Sequence, residues 1–87
     1  KMVAPGDIVG QTEQILKNLD AILQEAGSSL EKVLKTTCFL RNMEDFSAFN
    51  QIYAKYFASH KPARSCVAVR ELPKGVLVEV EAVAVVP

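Results

Sequence analysis

Residues 62–86, PARSCVAVRELPKGVLVEVEAVAVV, carry the clearest structural pattern in the chain. Ser65 to Val69 and Val76 to Val86 each read as a strand, and Leu72-Pro73-Lys74-Gly75 separates them. Proline presets φ and glycine admits positive φ, so these four residues predict a turn. The direct reading is a C-terminal hairpin whose two strands are antiparallel neighbours. Side chains alternate along the second strand. Val76, Val78, Val80, Ala82, Ala84 and Val86 share one face, and Leu77, Glu79, Glu81, Val83 and Val85 share the other. Both faces are mainly apolar, which predicts a strand covered on both sides near its C-terminal end.

Upstream the period changes. Lys1 to Gly10, with Pro5, Gly6 and Gly10, reads as a loop. Ile15, Leu16, Leu19, Ile22, Leu23 and Ala26 then recur at helical spacing and predict an amphipathic helix that Gly27 ends. Ser28 and Glu31 fit a capping box that opens a single turn, because the β-branched run of Val33 to Leu40 suits a strand. Asn42 and Asp45 mark the start of a second helix, with Phe46, Phe49, Tyr53, Tyr56 and Phe57 as its aromatic stripe. Pro62 disfavours helical geometry at Lys61, so that helix ends near Ser59-His60. The order α-β-α-β-β predicts one α+β domain over residues 1–87, with the helices on one face of a sheet. Three strands cover two helices poorly, so further strands are expected from another chain or from residues before Lys1.

Ten basic and ten acidic side chains cancel, and no basic run gives the footprint of a polyanion-binding surface. Nucleic acid is therefore disfavoured as a partner. Cys38 and Cys66 match no disulfide framework or zinc spacing, and His60 is the only histidine, so no metal site is predicted. Two reduced cysteines suit the cytoplasm. The most apolar stretch, Val76 to Val86, is interrupted by Glu79 and Glu81 and falls short of the roughly 20 residues that cross a bilayer. An apolar content of 49% in so short a chain favours self-association.

Two features of residues 62–86 are out of place in a purely structural element. Glu79 and Glu81 lie on one face of an apolar strand, ~6.5–7 Å apart at the usual rise. They could be solvated, or could pair with a cation across an interface, as readily as act in chemistry. Arg64 stands at a strand entrance beside small residues, where its planar fork could grip a carboxylate. An isolated arginine is more often a surface ion pair, and the predicted hairpin is what brings it near the glutamates. Asn50 interrupts an apolar helix face at Phe46, Asn50, Tyr53 and Phe57, and a buried amide there requires partners; loose backbone groups are the simplest. Cys66 has no histidine placed to activate it and reads as a lining residue. Tyr53 and Tyr56 read as packing.

Pro62-Ala63-Arg64-Ser65-Cys66-Val67, Leu72-Pro73-Lys74-Gly75 and Val78 to Ala84 together resemble the C-terminal signature of the RidA (YjgF-type) family of reactive-intermediate deaminases. Asn50 to Phe57 is similar to that family's second helix, Gln11 to Leu19 to its first, and Val33 to Thr37 to its middle strand. The resemblance runs from about Asp7 onward. It implies a chorismate-mutase-like subunit with helices on one face of a mixed sheet, assembled as a homotrimer with ligand clefts between subunits. It implies hydrolysis of 2-imino or enamino acids to 2-keto acids and ammonia, with no cofactor. By the same resemblance Arg64 holds the substrate carboxylate, Glu79 positions or activates water, and Cys66 and Asn50 contribute to substrate binding. The family's usual N-terminal β-hairpin has no counterpart in Lys1 to Gly6. The segment before Pro62 is also shorter than in the family, with His60-Lys61 running almost directly into it.

Two other functions fit parts of the pattern. A non-catalytic module that binds small carboxylates or regulates a partner would need Arg64 but not Glu79. Ribonuclease or translation-inhibitor activity, attached to some relatives, is opposed by the neutral charge.

Overall fold

Val33–Leu40 (β1) occupies the centre of a three-stranded sheet of order β2-β1-β3, where β2 is Ala63–Ala68 and β3 is Val78–Ala84. The structure is a computed structural model that describes residues 7–86. β1 runs parallel to β2, with Thr36 opposite Arg64 and Cys38 opposite Cys66. It runs antiparallel to β3, with Thr36 opposite Ala82, Cys38 opposite Val80 and Phe39 opposite Glu79. The sheet is mixed, as predicted, but the predicted hairpin does not form. β1 lies between the two C-terminal strands.

The physical reason lies in β1 and in the loop. β1 carries a fully buried inward row, Thr36, Cys38 and Leu40, and is the strand best buried by having neighbours on both edges. Residues 69–77 are long enough to pass over its end, a distance of about two strand spacings or ~10 Å. Val69 N–H donates to the Leu40 carbonyl at 2.8 Å, and Arg41 N–H to the Leu77 carbonyl at 3.0 Å, so the crossing is tied to β1 on both sides. The Leu72-Pro73-Lys74-Gly75 turn exists within this crossing, with Lys74 and Gly75 at φ 60° and 68°. Proline and a left-handed pair punctuate a chain without fixing what the turn connects.

Helix α1 spans Ile8–Glu25 and helix α2 spans Phe46–Tyr56, and both pack on the same face of the sheet. α1 begins earlier than the glycines suggested, because Asp7 caps it by accepting from Gly10 N–H at 3.0 Å. Lys1 to Gly6, the rest of that expected loop, lies outside the described residues. The predicted stop is correct. Gly27 sits at φ 84°, with Ser28 N–H bonded to the Leu23 carbonyl and Gly27 N–H to the Gln24 carbonyl, a Schellman ending. Ser28 does not build the expected capping box. Its hydroxyl donates instead to the Val85 carbonyl at 2.6 Å, fastening the helix exit to the chain beyond β3. The single turn that follows, Leu30–Lys32, has no side-chain cap. α2 also ends at Tyr56, a few residues before Ser59-His60.

Leu16 and Leu23 of α1, Phe49, Ile52 and Tyr53 of α2, and Phe57 just after it meet Val33, Cys38, Leu40 and Val78 from the sheet. A register shift between Val33 and Lys35 changes parity, so Val33 and Thr36 both face inward. Ile22 remains 65% exposed, because the apolar stripe of α1 is wider than the surface beneath it. One polar pair crosses this core. The hydroxyls of Thr36 and Tyr53 are 2.7 Å apart and buried, which satisfies both.

β3 is not covered on both sides. Val78, Val80, Ala82 and Ala84 face the helices, whereas Glu79, Glu81 and Val83 lie on the outer face, where Val83 is 60% exposed. The outer face continues through Thr37, Phe39 and Val67. The apolar alternation that predicted cover therefore records a surface left bare within one chain.

Thr36→Val and Tyr53→Phe should each destabilise the fold by about 1–3 kcal/mol, since each leaves a buried hydroxyl without its partner. The double variant should lose less than the sum of the two, read by urea denaturation as a double-mutant cycle. Burial pushes the Cys38 thiol up to about 11, with the Thr36 hydroxyl pulling the other way. The folded state then keeps its proton where the unfolded thiol ionises. This contribution is intact below about pH 9 and is lost as pH rises toward 11. Cys38→Val should flatten the fall in melting temperature across that window.

Candidate functional site

The β1–α2–β2 unit places the start of β2 against one side of α2. Arg64 is the second residue of β2, and its register opposite the inward-facing Thr36 turns it toward α2. There its Nη1 donates to Asn50 Oδ1 at 2.6 Å. The guanidinium stands 4.7 Å from the centre of the Tyr53 ring and 5.5 Å from that of Phe46. Aromatic faces attract a cation while leaving its in-plane N–H donors free. Tyr53 is itself a fixed platform, because its hydroxyl is held by Thr36 and its ring packs between Phe49 and Phe57.

These contacts orient Arg64 without neutralising it. The ion pair among the described residues joins Lys55 to Glu13 at 3.6 Å, and no acid pairs with Arg64 among those residues. The arginine is exposed at the edge of a cleft of roughly 640 Å³, whose walls include Asn50, Tyr53, Ala54, Phe57, Ala58 and Lys61. A charged fork held in place and facing an open, partly apolar cleft is suited to a small planar anion.

The helix pattern alone favours an Asn50 that satisfies backbone, and the family resemblance gives it to substrate binding; its carbonyl oxygen accepts from Arg64, which puts it in this constellation. Cys66 follows Arg64 on the same face of β2 and lies opposite Cys38 in the ladder, both thiols being free. Burial raises the Cys66 thiol above its ordinary value, and the smaller influence of Arg64 lowers it, so the thiol is protonated at neutral pH. It is therefore not poised as a nucleophile. His60 Nε2 donates to the Val33 carbonyl at 2.7 Å, which ties the approach to β2 to the start of β1. No group of three or more metal-ligating side chains occurs among the described residues.

Glu79 is placed differently from the neighbourhood that the hairpin implied. It lies opposite Phe39 on the outer face of the sheet, while Arg64 faces the helices. Within one chain the two are separated by the sheet itself. Glu81 lies on the same outer face as Glu79, beside Lys35 and Thr37, in a shallow depression of its own.

Tyr53, Phe46, Thr36 and Lys61 were not singled out from sequence as site residues. The aromatic pair was nonetheless detectable, since Phe46 and Tyr53 flank Asn50 at i−4 and i+3 on one helix face. Thr36 and Lys61 required the register and the path of the chain.

No described helix is long and apolar enough to cross a membrane. The profile of the family described as endoribonuclease L-PSP matches residues 1–86. A RutC family protein of Synechocystis is 53% identical over 87 residues, covering 99% of this chain and 67% of its own length. The crystal structure of yeast Mmf1 superposes with a TM-score of 0.93 at 45% identity, covering 97% of this chain and 67% of the other. That of Escherichia coli TdcF with bound serine gives 0.88 at 40% identity, covering 95% and 68%. The chain spans about two thirds of the length of the curated relatives it matches, 65% for a RutC family protein of Pyrococcus horikoshii. Matched along nearly its whole length in sequence, and in the packing of two helices on a three-stranded mixed sheet, the chain belongs to the endoribonuclease L-PSP family, which also carries the names YjgF, RidA and RutC.

Proposed function

We propose that the chain is part of an enzyme that hydrolyses 2-imino acids, with their enamine tautomers, to 2-keto acids and ammonia. The observation that carries this reading is Arg64, an arginine fixed by an amide and two aromatic rings, with no acid paired to it among the described residues, at the edge of a cleft. Such a group binds a small carboxylate in a bidentate pair. The family relative TdcF, crystallised with serine, offers a parallel for a small amino acid as ligand. In the reaction one water adds to the imine carbon and ammonia leaves, so the water supplies the keto oxygen. Holding the substrate by its carboxylate and presenting one proton-handling group suffices for so reactive an electrophile. Glu79 is the candidate for that group, with Asn50 orienting Arg64 and Cys66 lining the site.

Arg64 and Glu79 point to opposite sides of one sheet, so they serve one site only when two subunits contribute to it. The bare outer face with Phe39, Val67 and Val83 supports such an assembly. A homotrimer with clefts between neighbours satisfies both requirements. The reaction requires no cofactor. Two free cysteines suit a reducing compartment such as the cytoplasm, although a fission-yeast relative is named as mitochondrial.

A binding module without catalysis is the main competing function, because everything that holds Arg64 would serve it equally. Ribonuclease activity is suggested by the family's description alone, and the net charge of +0 gives no polyanion surface.

With an imine generated in situ by an amino-acid oxidase, the protein should speed keto-acid release above the spontaneous rate. Arg64→Ala should reduce kcat/KM at least about a hundredfold, and lysine should not restore it. Glu79→Gln should lower kcat about 10²-fold or more while carboxylate binding persists. Unchanged turnover in Glu79→Gln would exclude its catalytic role, and binding with no turnover in the parent protein would favour the binding module. Sedimentation of the full-length protein should give a trimer; a monomer would rule out a site shared by Arg64 and Glu79.

A further inference from the structure

We infer that Lys61 supplies a second anion contact in the Arg64 cleft, and that the cleft selects short 2-imino dicarboxylates over monocarboxylates. The inference rests on Arg64 as the carboxylate anchor. Lys61 and Arg64 line the same cleft. They stand three positions apart in sequence, so their Cα atoms lie at most ~11 Å apart, and both side chains are long enough to converge on one ligand. Neither is paired with an acid among the described residues. Lys55, a cation of α2, is engaged by Glu13.

Ala54, Phe57, Ala58 and Pro62 add apolar surface to the same cleft. Two cations and hydrocarbon surface in one cleft complement a short carbon chain that carries two carboxylates. With two charges the cleft suits a dianion. The path of the chain puts Lys61 there. His60 is held by the Val33 carbonyl, so the backbone entering β2 is pinned one residue before Lys61. A more distant anchor would leave the lysine free to turn away.

Lys61 is exposed, so its contribution is that of a partly solvated ion pair and weakens with salt. The test is calorimetric binding of succinate and butyrate, which have equal carbon number, to the full-length protein at low ionic strength. The parent protein should bind succinate about three- to tenfold more tightly. Lys61→Gln should remove that preference, Lys61→Arg should retain it, and added salt should narrow it. Equal affinities in the parent protein, or an unchanged ratio in Lys61→Gln, would overturn the inference. Arg64→Ala separates the two levels. If it binds both acids as the parent does, or if the parent binds neither, the anchor fails and this inference with it. If it loses both while Lys61→Gln keeps the ratio, the anchor stands and only the second contact falls.

Discussion

The position of β1 between β2 and β3 governs the rest of the molecule. A strand hydrogen-bonded on both edges imposes one register on each neighbour, and register decides which side chains share a face. Thr36 inward sets Arg64 inward. Phe39 outward sets Glu79 outward. A shift of one residue in either ladder would exchange those faces and dismantle the cleft. The burial of Thr36, Cys38 and Leu40 opposes such a shift, since it would bring Thr37 and Phe39 inward and expose the row they replaced.

From that strand a short polar chain leads to the surface. Thr36 holds the Tyr53 hydroxyl, the Tyr53 ring lies beneath the Arg64 guanidinium, and Asn50 Oδ1 accepts a hydrogen bond from that guanidinium. Every one of these partners of the guanidinium is neutral, which keeps its positive charge available to a ligand. A carboxylate in place of Asn50 would hold the arginine more strongly and compete with any anion. The choice of an amide and aromatic rings is thus the choice that preorganises the cation without quenching it. The same burial that secures Tyr53 also keeps its hydroxyl protonated, as desolvation raises its pKa first among several influences.

The outer face of the sheet follows a different logic. Phe39, Val67 and Val83 alternate with Glu79, Glu81 and Lys35 on a surface that no element of the described chain covers. Apolar side chains with interspersed charges on a broad sheet are a poor solvent-facing surface and a reasonable one for association. On this face an acidic residue gains a function only from what is brought against it.

Much of this was legible in residues 62–86 and the helices before them. Period and punctuation set the element types, the end of α1 at Gly27, the span of β1 and the α-β-α-β-β order, because these depend on local φ/ψ preference and on which face is apolar. The linked motifs resembled one family, and that membership is borne out along the chain. Pairing was not legible. The turn at Leu72 to Gly75 looks the same whether it closes a hairpin or carries the chain over a third strand, and only competition for both edges of β1 decided between them. That decision moved Arg64 and Glu79 to opposite faces. The opening stretch thus specified two strands and an unusual arginine and glutamate, while the tertiary structure determined that one chain cannot bring them together.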